Sequence, residues 1–158
     1  MDLATLIVLI IALYGAIFST ITYVRQERAK KEEKKPRIRV KIGIGLAVVF
    51  TKPQKAITLE AQNLGSTKVT FRSIPQLLLP DETRLVGIMG VWMGGPLPHT
   101  LEPGDSLTMS VFISKLVEAL VKEGYSGKIT MIGEFTDALD NEYRSNPLDF
   151  DIDVWGKE

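Results

Sequence analysis

RIRVKIGIGLAVV, residues 37–49, is the stretch on which the fold turns. Ile38, Val40, Ile42 and Ile44 alternate with Arg37, Arg39, Lys41 and Gly43. A period of two puts an apolar row on one face and a charged or small row on the other, the pattern of a half-buried β-strand. Leu46 to Phe50 continues the strand past Gly45, which reads as a bulge or bend. Thr51-Lys52-Pro53-Gln54 reads as a turn, and Ala56 to Gln62 as the returning strand, closed by the turn residues Asn63-Leu64-Gly65.

The same alternation recurs downstream. Val69 and Phe71 alternate with polar neighbours until Pro75, which assigns the rest of 67–79 to an edge or to a segment after a bend. Leu85 to Met89 is a short apolar strand. Pro103-Gly104 centres a tight turn before a strand over 106–113, with Leu107, Met109, Val111 and Ile113 inward. Ser114 is placed to cap a short helix carrying Leu116, Val117, Leu120 and Val121 as its apolar stripe, and Gly124 to end it. Strands follow at 128–135 and 148–154, joined through a turn over 137–141 and a short return over 142–145. Seven or eight short strands with one connecting helix predict a mainly β domain, an antiparallel sandwich over 37–158.

Upstream the chain changes character. From Leu3 to Val24 there is no charged residue. In helical form such a run reaches about 33 Å, against a hydrocarbon core of about 30 Å, so residues 1–24 read as a transmembrane anchor. No basic residue precedes the run and it is too long for the apolar core of a cleavable signal. Arg25, Arg28, Lys30, Lys31, Lys34, Lys35, Arg37 and Arg39 follow it, and residues 25–36 form a basic juxtamembrane stalk ended by Pro36. The positive-inside rule places the N-terminus outside and the globular domain in the cytoplasm. The basic run serves as a stop signal and suits contact with anionic headgroups. Ala12 and Ala16, and Gly15 and Ser19, are small-xxx-small pairs on one helix face, the geometry of self-association or docking on a partner helix. Small residues are common in spans, and that plainer reading stays open.

Composition removes several function classes. Lys and Arg balance Asp and Glu at 19 each, but residues 1–41 hold nine basic against four acidic residues, leaving residues 42–158 acidic. The globular part therefore lacks a basic footprint for nucleic acid. The chain has no cysteine, so thiolate nucleophiles, disulfides and Cys-type zinc sites are excluded. His99 is the single histidine, which leaves little material for a zinc site or a histidine triad. No phosphate loop, dinucleotide fingerprint or nucleophile elbow occurs. Neither a metal nor any other cofactor is expected.

ITLEAQNLGSTKVTF (57–71), LEPGDSLTMSVFIS (101–114) and KITMIGEFTDALDNEYRS (128–145) resemble immunoglobulin-like domains of prokaryotic surface and membrane proteins. The first stretch looks like their B–turn–C region, the others like their E–helix–F–G half. The resemblance implies a fold and no activity. In layout the chain is also similar to archaeal archaellum accessory proteins, which carry their sandwich outside the membrane.

Two surfaces stand out. Gly90 to His99 sets Val91, Trp92, Met93 and Leu97 among glycines and prolines, apolar anchors on an adaptable backbone suited to a protein partner. The same loop also reads as a lid over the open end of the sandwich, or as a segment dipping into the membrane interface. Asp149, Asp151 and Asp153 form an acidic row, and Asp137, Asp140, Asn141 and Glu142 cluster in the preceding turn. The spacing does not match a calcium loop, so these read as a solvated face and an ordinary turn. The sequence thus predicts a single-pass, membrane-anchored, non-enzymatic interaction module. The alternative is an extracytoplasmic structural component of an envelope or surface appendage.

Overall fold

The computed structural model describes residue 2 and residues 14–27, 36–49, 52–86 and 95–157. The chain divides into two units, Met1–Lys35 and Pro36–Glu158. In the first, residues 14–27 are helical (α1). The Thr20 and Thr22 hydroxyls donate to the carbonyls of Ala16 and Phe18 one turn back, each at 2.9 Å, so the helix satisfies them internally. Residues 3–13 of the expected span lie outside the described residues. Among the described residues no helix is long and apolar enough to cross a membrane.

The second unit is mainly β, and every sheet in it is antiparallel. β1 (Ile38–Val49), β2 (Lys52–Asn63) and β7 (Ser106–Phe112) form one sheet in the order β1-β2-β7. The second sheet is built around β8 (Lys128–Thr136). β4 (Gln76–Leu78) lies on one side of β8, followed by β5 (Arg84–Val86). β9 (Glu142–Arg144) and β10 (Leu148–Asp151) share its other side, since Glu134 is paired with Gln76 and with Arg144 at once. β3 (Val69–Phe71) and β6 (His99–Leu101) pair with each other and join the far end of β8 through a Phe71–Asp137 bridge.

The two larger sheets share one core, with Ile57, Leu59, Leu77, Leu101, Met131 and Phe135 fully buried. Leu59 of β2 reaches the backbone of β8 at Gly133. A Cβ built there would sit 1.8 Å from Cδ2 of Leu59 on β2, so only glycine lets Leu59 pack directly on the β8 backbone. Phe71 meets Phe135 at 5.2 Å and Tyr143 edge-on at 6.2 Å between ring centroids.

Several local expectations change. Pro53 lies within β2 and the register through Gly45 is continuous, without a bulge. Proline is tolerated because β7 joins β2 only from Ala56, which leaves one side of Pro53 unpaired. β4 follows Pro75 after a bend but is interior to its sheet, not at an edge. The α2 helix (Ile113–Lys122) starts directly from β7, with Phe112 at its N-cap and no side-chain cap, so Ser114 lies inside the first turn. Leu116 and Leu120 are buried, whereas Val121 is 56% exposed. Gly124 does end the helix, at φ +89, with Tyr125 N–H donating to the Leu120 carbonyl. The alternation over 148–154 stops at Asp151. That carboxylate accepts from the backbone of Asp153 and Val154 and starts α3 (Ile152–Trp155), a second short helix.

Candidate functional site

Of the four loop residues with partner-binding chemistry, Val91, Trp92 and Met93 lie outside the described residues. Leu97 is half-buried and packs on the core, beside a Gly95 whose Cβ would meet His99 Nδ1 at 3.5 Å and Leu107 Cδ1 at 3.6 Å. The descending arm of that loop is therefore seated on β6 and β7. In α1, Gly15, Ala16 and Ser19 are exposed, and a Cβ on Gly15 would meet nothing within 4 Å. Ala12 lies outside the described residues. Arg25 is exposed, while Arg28, Lys30, Lys31, Lys34 and Lys35 again lie outside the description.

The acidic row is dispersed by its own partners. Asp149 accepts from the Thr130 hydroxyl at 2.8 Å, Asp151 caps α3, and Asp153 accepts from Gly127 N–H at 3.3 Å. Asp137 is the hub of its turn. It accepts from Leu139 N–H, Asn141 N–H, the Asn141 side-chain amide and the Tyr143 hydroxyl, at 2.8–2.9 Å. Burial pushes its pKa up, but the hydrogen bonds from Asn141, Tyr143 and Leu139 outweigh that and leave it below the ordinary carboxylate value. Burial, then the Asp137 carboxylate, drives the Tyr143 phenol well above its usual range.

With the Asp137 pKa lower in the folded chain than in the unfolded one, its stabilisation is present above about pH 4 and fades as pH falls through the folded value. Asp137→Ala is expected to cost about 3 kcal/mol at pH 7, since charged hydrogen bonds are lost from a buried turn. Urea unfolding at pH 7 and pH 3 checks this, and the gap from the parent chain should narrow at pH 3.

A second polar cluster was not visible in the sequence. The register sets Gln76, Glu134 and Arg144 side by side on β4, β8 and β9. Glu134 is completely buried, although strand alternation puts it on the face of β8 opposite Gly133 and Phe135. Its Oε2 accepts from Arg144 Nε at 2.8 Å, and its Oε1 lies 3.6 Å from Arg84 Nη2. Glu142 closes the group, at 2.9 Å from both Arg84 and Arg144. The hydrogen bond from Arg84 holds the Glu142 pKa down, and the hydrogen bond to Glu134 raises that of Arg144. Two carboxylates and two guanidiniums neutralise one another here. An acid–base catalyst needs a carboxyl poised near neutrality. Asp137 and Glu142 are shifted the other way.

A third feature is the cleft edged by Gln54, Lys55, Ile113, Ser114 and Trp155. Trp155 stacks on Phe150 at 6.2 Å, and Lys55 Nζ lies 4.8 Å from the centroid of its ring.

No protein-family model matches the chain, and no curated protein matches it either.

Proposed function

We propose that this chain is a single-pass, membrane-anchored, non-enzymatic interaction module. In this reading it holds an immunoglobulin-like β-sandwich at the cytoplasmic face of a membrane, for a protein partner or for assembly into a complex. The observation that carries the proposal is the uncharged run of residues 3–24, followed at once by eight basic residues between Arg25 and Arg39 and then by a β domain. The strand order supports the immunoglobulin-like assignment. In this reading β1-β2-β7 would take the A-B-E positions and β10-β8-β4 the G-F-C positions, with α2 on the crossover from β7 to β8. Strand C then falls at Gln76–Leu78 and not within 57–71, where β3 pairs with β6, and strand G falls at β10, beyond 128–145. The engagement of Asp137, Glu134 and Glu142 in structural hydrogen bonds and ion pairs favours a binding role over catalysis. Trp92, with Val91 and Met93, is the proposed anchor for the partner, and Leu97 ties that loop to the domain. Ala12, Gly15, Ala16 and Ser19 are proposed to let the anchor helix pack against another helix.

Because the chain has no cysteine, a single Leu139→Cys change gives a clean probe at a turn residue that is 81% exposed. The protein should stay with membranes through alkaline carbonate washing and react with an impermeant maleimide only after lysis. Release into the carbonate supernatant would remove the anchor from the account. Reaction in intact cells would put the domain outside and make the envelope or appendage role the leading one.

A further inference from the structure

β1 is the outer strand of its sheet, and among the described residues no strand pairs with its free edge. It runs for twelve residues without a proline, and its register to β2 is unbroken. Leu64 N–H donates to the Arg37 carbonyl. The odd-numbered residues therefore turn their backbone groups toward β2, and Val40, Ile42, Ile44 and Leu46 turn theirs to the open edge. Folded proteins blunt such edges, because a long regular one templates another strand.

The side chains of β1 are not blunted evenly. On the inner face, exposure climbs from Val40 at 7% to Ile44 at 42% and Leu46 at 69%, so the apolar row runs out from under the second sheet. On the outer face, Arg37, Arg39 and Lys41 give way to Gly43, Gly45 and Ala47. The monomer has no need of these glycines. A Cβ on Gly43 would meet nothing within 4 Å, and one on Gly45 would meet only the Thr58 side chain, no closer than 3.5 Å. Glycine within a strand costs stability, and it marks places where another backbone or side chain comes close.

We infer that a second copy of this chain adds to the β1 edge, antiparallel, with Gly43 opposite Gly43 on a two-fold axis. In that register Lys41 lies opposite Gly45 and Arg39 opposite Ala47, so the basic half of each strand crosses the small half of its partner. On the inner face Ile42 meets Ile44, and Val40 meets Leu46, which covers the exposed end of the apolar row. Centring the pair on Lys41 instead would set two lysines face to face, and like charges directly opposite are destabilising. Ile42 and Ile44 exchange backbone hydrogen bonds across the axis, while the Gly43 pair is non-hydrogen-bonded, with Cα atoms about 4.5 Å apart. The contact is isologous and closes at two copies. It depends neither on the anchor nor on the side of the membrane.

Disulfide trapping of the full chain in detergent tests the register. Gly43→Cys fits the free space on the monomer and should give a disulfide-linked dimer under mild oxidation. Lys41→Cys and Gly45→Cys should each stay monomeric alone, because like positions then lie about 13 Å apart along the strands. Mixed together, those two variants should cross-link. Ile44→Pro removes an N–H that faces the open edge and spares the ladder to β2, so added to Gly43→Cys it should abolish the dimer with the β-sheet circular dichroism intact. Should that variant unfold, Gly45→Lys sets a lysine against Lys41 of the other copy and should abolish the dimer in the same way. Failure of Gly43→Cys to cross-link would overturn the inference. So would equal cross-linking of Lys41→Cys or Gly45→Cys alone, which is what helix association without strand pairing would produce.

Discussion

Arg144→Ala is expected to cost the domain about 3–5 kcal/mol, the cost of stranding a buried charge. Glu134 is wholly buried, and the guanidinium that hydrogen-bonds it is that of Arg144, at 2.8 Å. Arg84 stands 3.6 Å away and is already committed to Glu142 at 2.9 Å, so it cannot replace the lost partner fully. Truncation leaves the Glu134 carboxylate buried without its main counter-ion. For a domain of this size that lowers Tm by on the order of 10 °C or more. Thermal melts and urea unfolding of the single variant measure it. Replacing both partners together, Glu134→Met with Arg144→Leu, should cost much less, because a buried ion pair and a well-packed apolar pair are often close in free energy. If the double replacement is as damaging as Arg144→Ala, the loss lies in packing of the arginine stem and not in the stranded carboxylate.

Gly133→Ala is the second large effect. The added methyl would fall 1.8 Å from Leu59 Cδ2 and 3.0 Å from its Cγ. Leu59 is fully buried, and interiors are close-packed, so either its rotamer or the separation of the two sheets must give. Overpacking of this kind costs about 3 kcal/mol. Leu59→Ala alone should also cost about 3 kcal/mol, by opening a cavity. The informative variant carries both changes. Each relieves the defect of the other, so the double loss should fall short of the sum by about 1–3 kcal/mol. Strict additivity in urea unfolding would mean that the two side chains do not compete for the same space.

Much of the fold can be read locally. The alternation at 38–44, the Pro103-Gly104 turn, the helix stop at Gly124 and the Asp137–Asn141 turn all appear where sequence chemistry places them. Each is decided by neighbours within a few residues. The failures share one cause, a partner distant in the chain. Pro53 belongs to a strand because β7 arrives only at Ala56. Asp151 leaves the strand because it finds a helix to cap. Gly45 looked like a bend, but β2 pairs straight past it. At the site level the limits are sharper. Glu134 sits at an outward position in an alternating strand, which in one dimension reads as solvent. Only the positions of Arg84 and Arg144 reveal it as buried. Gly133 did carry a signal, a glycine inside an apolar strand, although nothing nearby names Leu59 as its neighbour. Trp92 remains a sequence-based nomination, and Leu97 alone of its group is described.

The central place of β8 also sets a schedule. β4 and β5 are complete by Val86, and the strand that must lie beside them begins only at Lys128. At about 5–20 residues per second, the ribosome takes roughly 2–8 s to cover that interval. During it Leu77 has no sheet to pack against, and Arg84 waits for the carboxylates that neutralise it. The β1–β2 hairpin, by contrast, joins neighbouring segments and can close early. The nascent domain therefore passes through a stage with one hairpin formed and the second sheet still lacking its central strand. Such a stage leaves strand edges unpaired and apolar surface uncovered, the features that make a folding chain prone to aggregate, until β8 emerges.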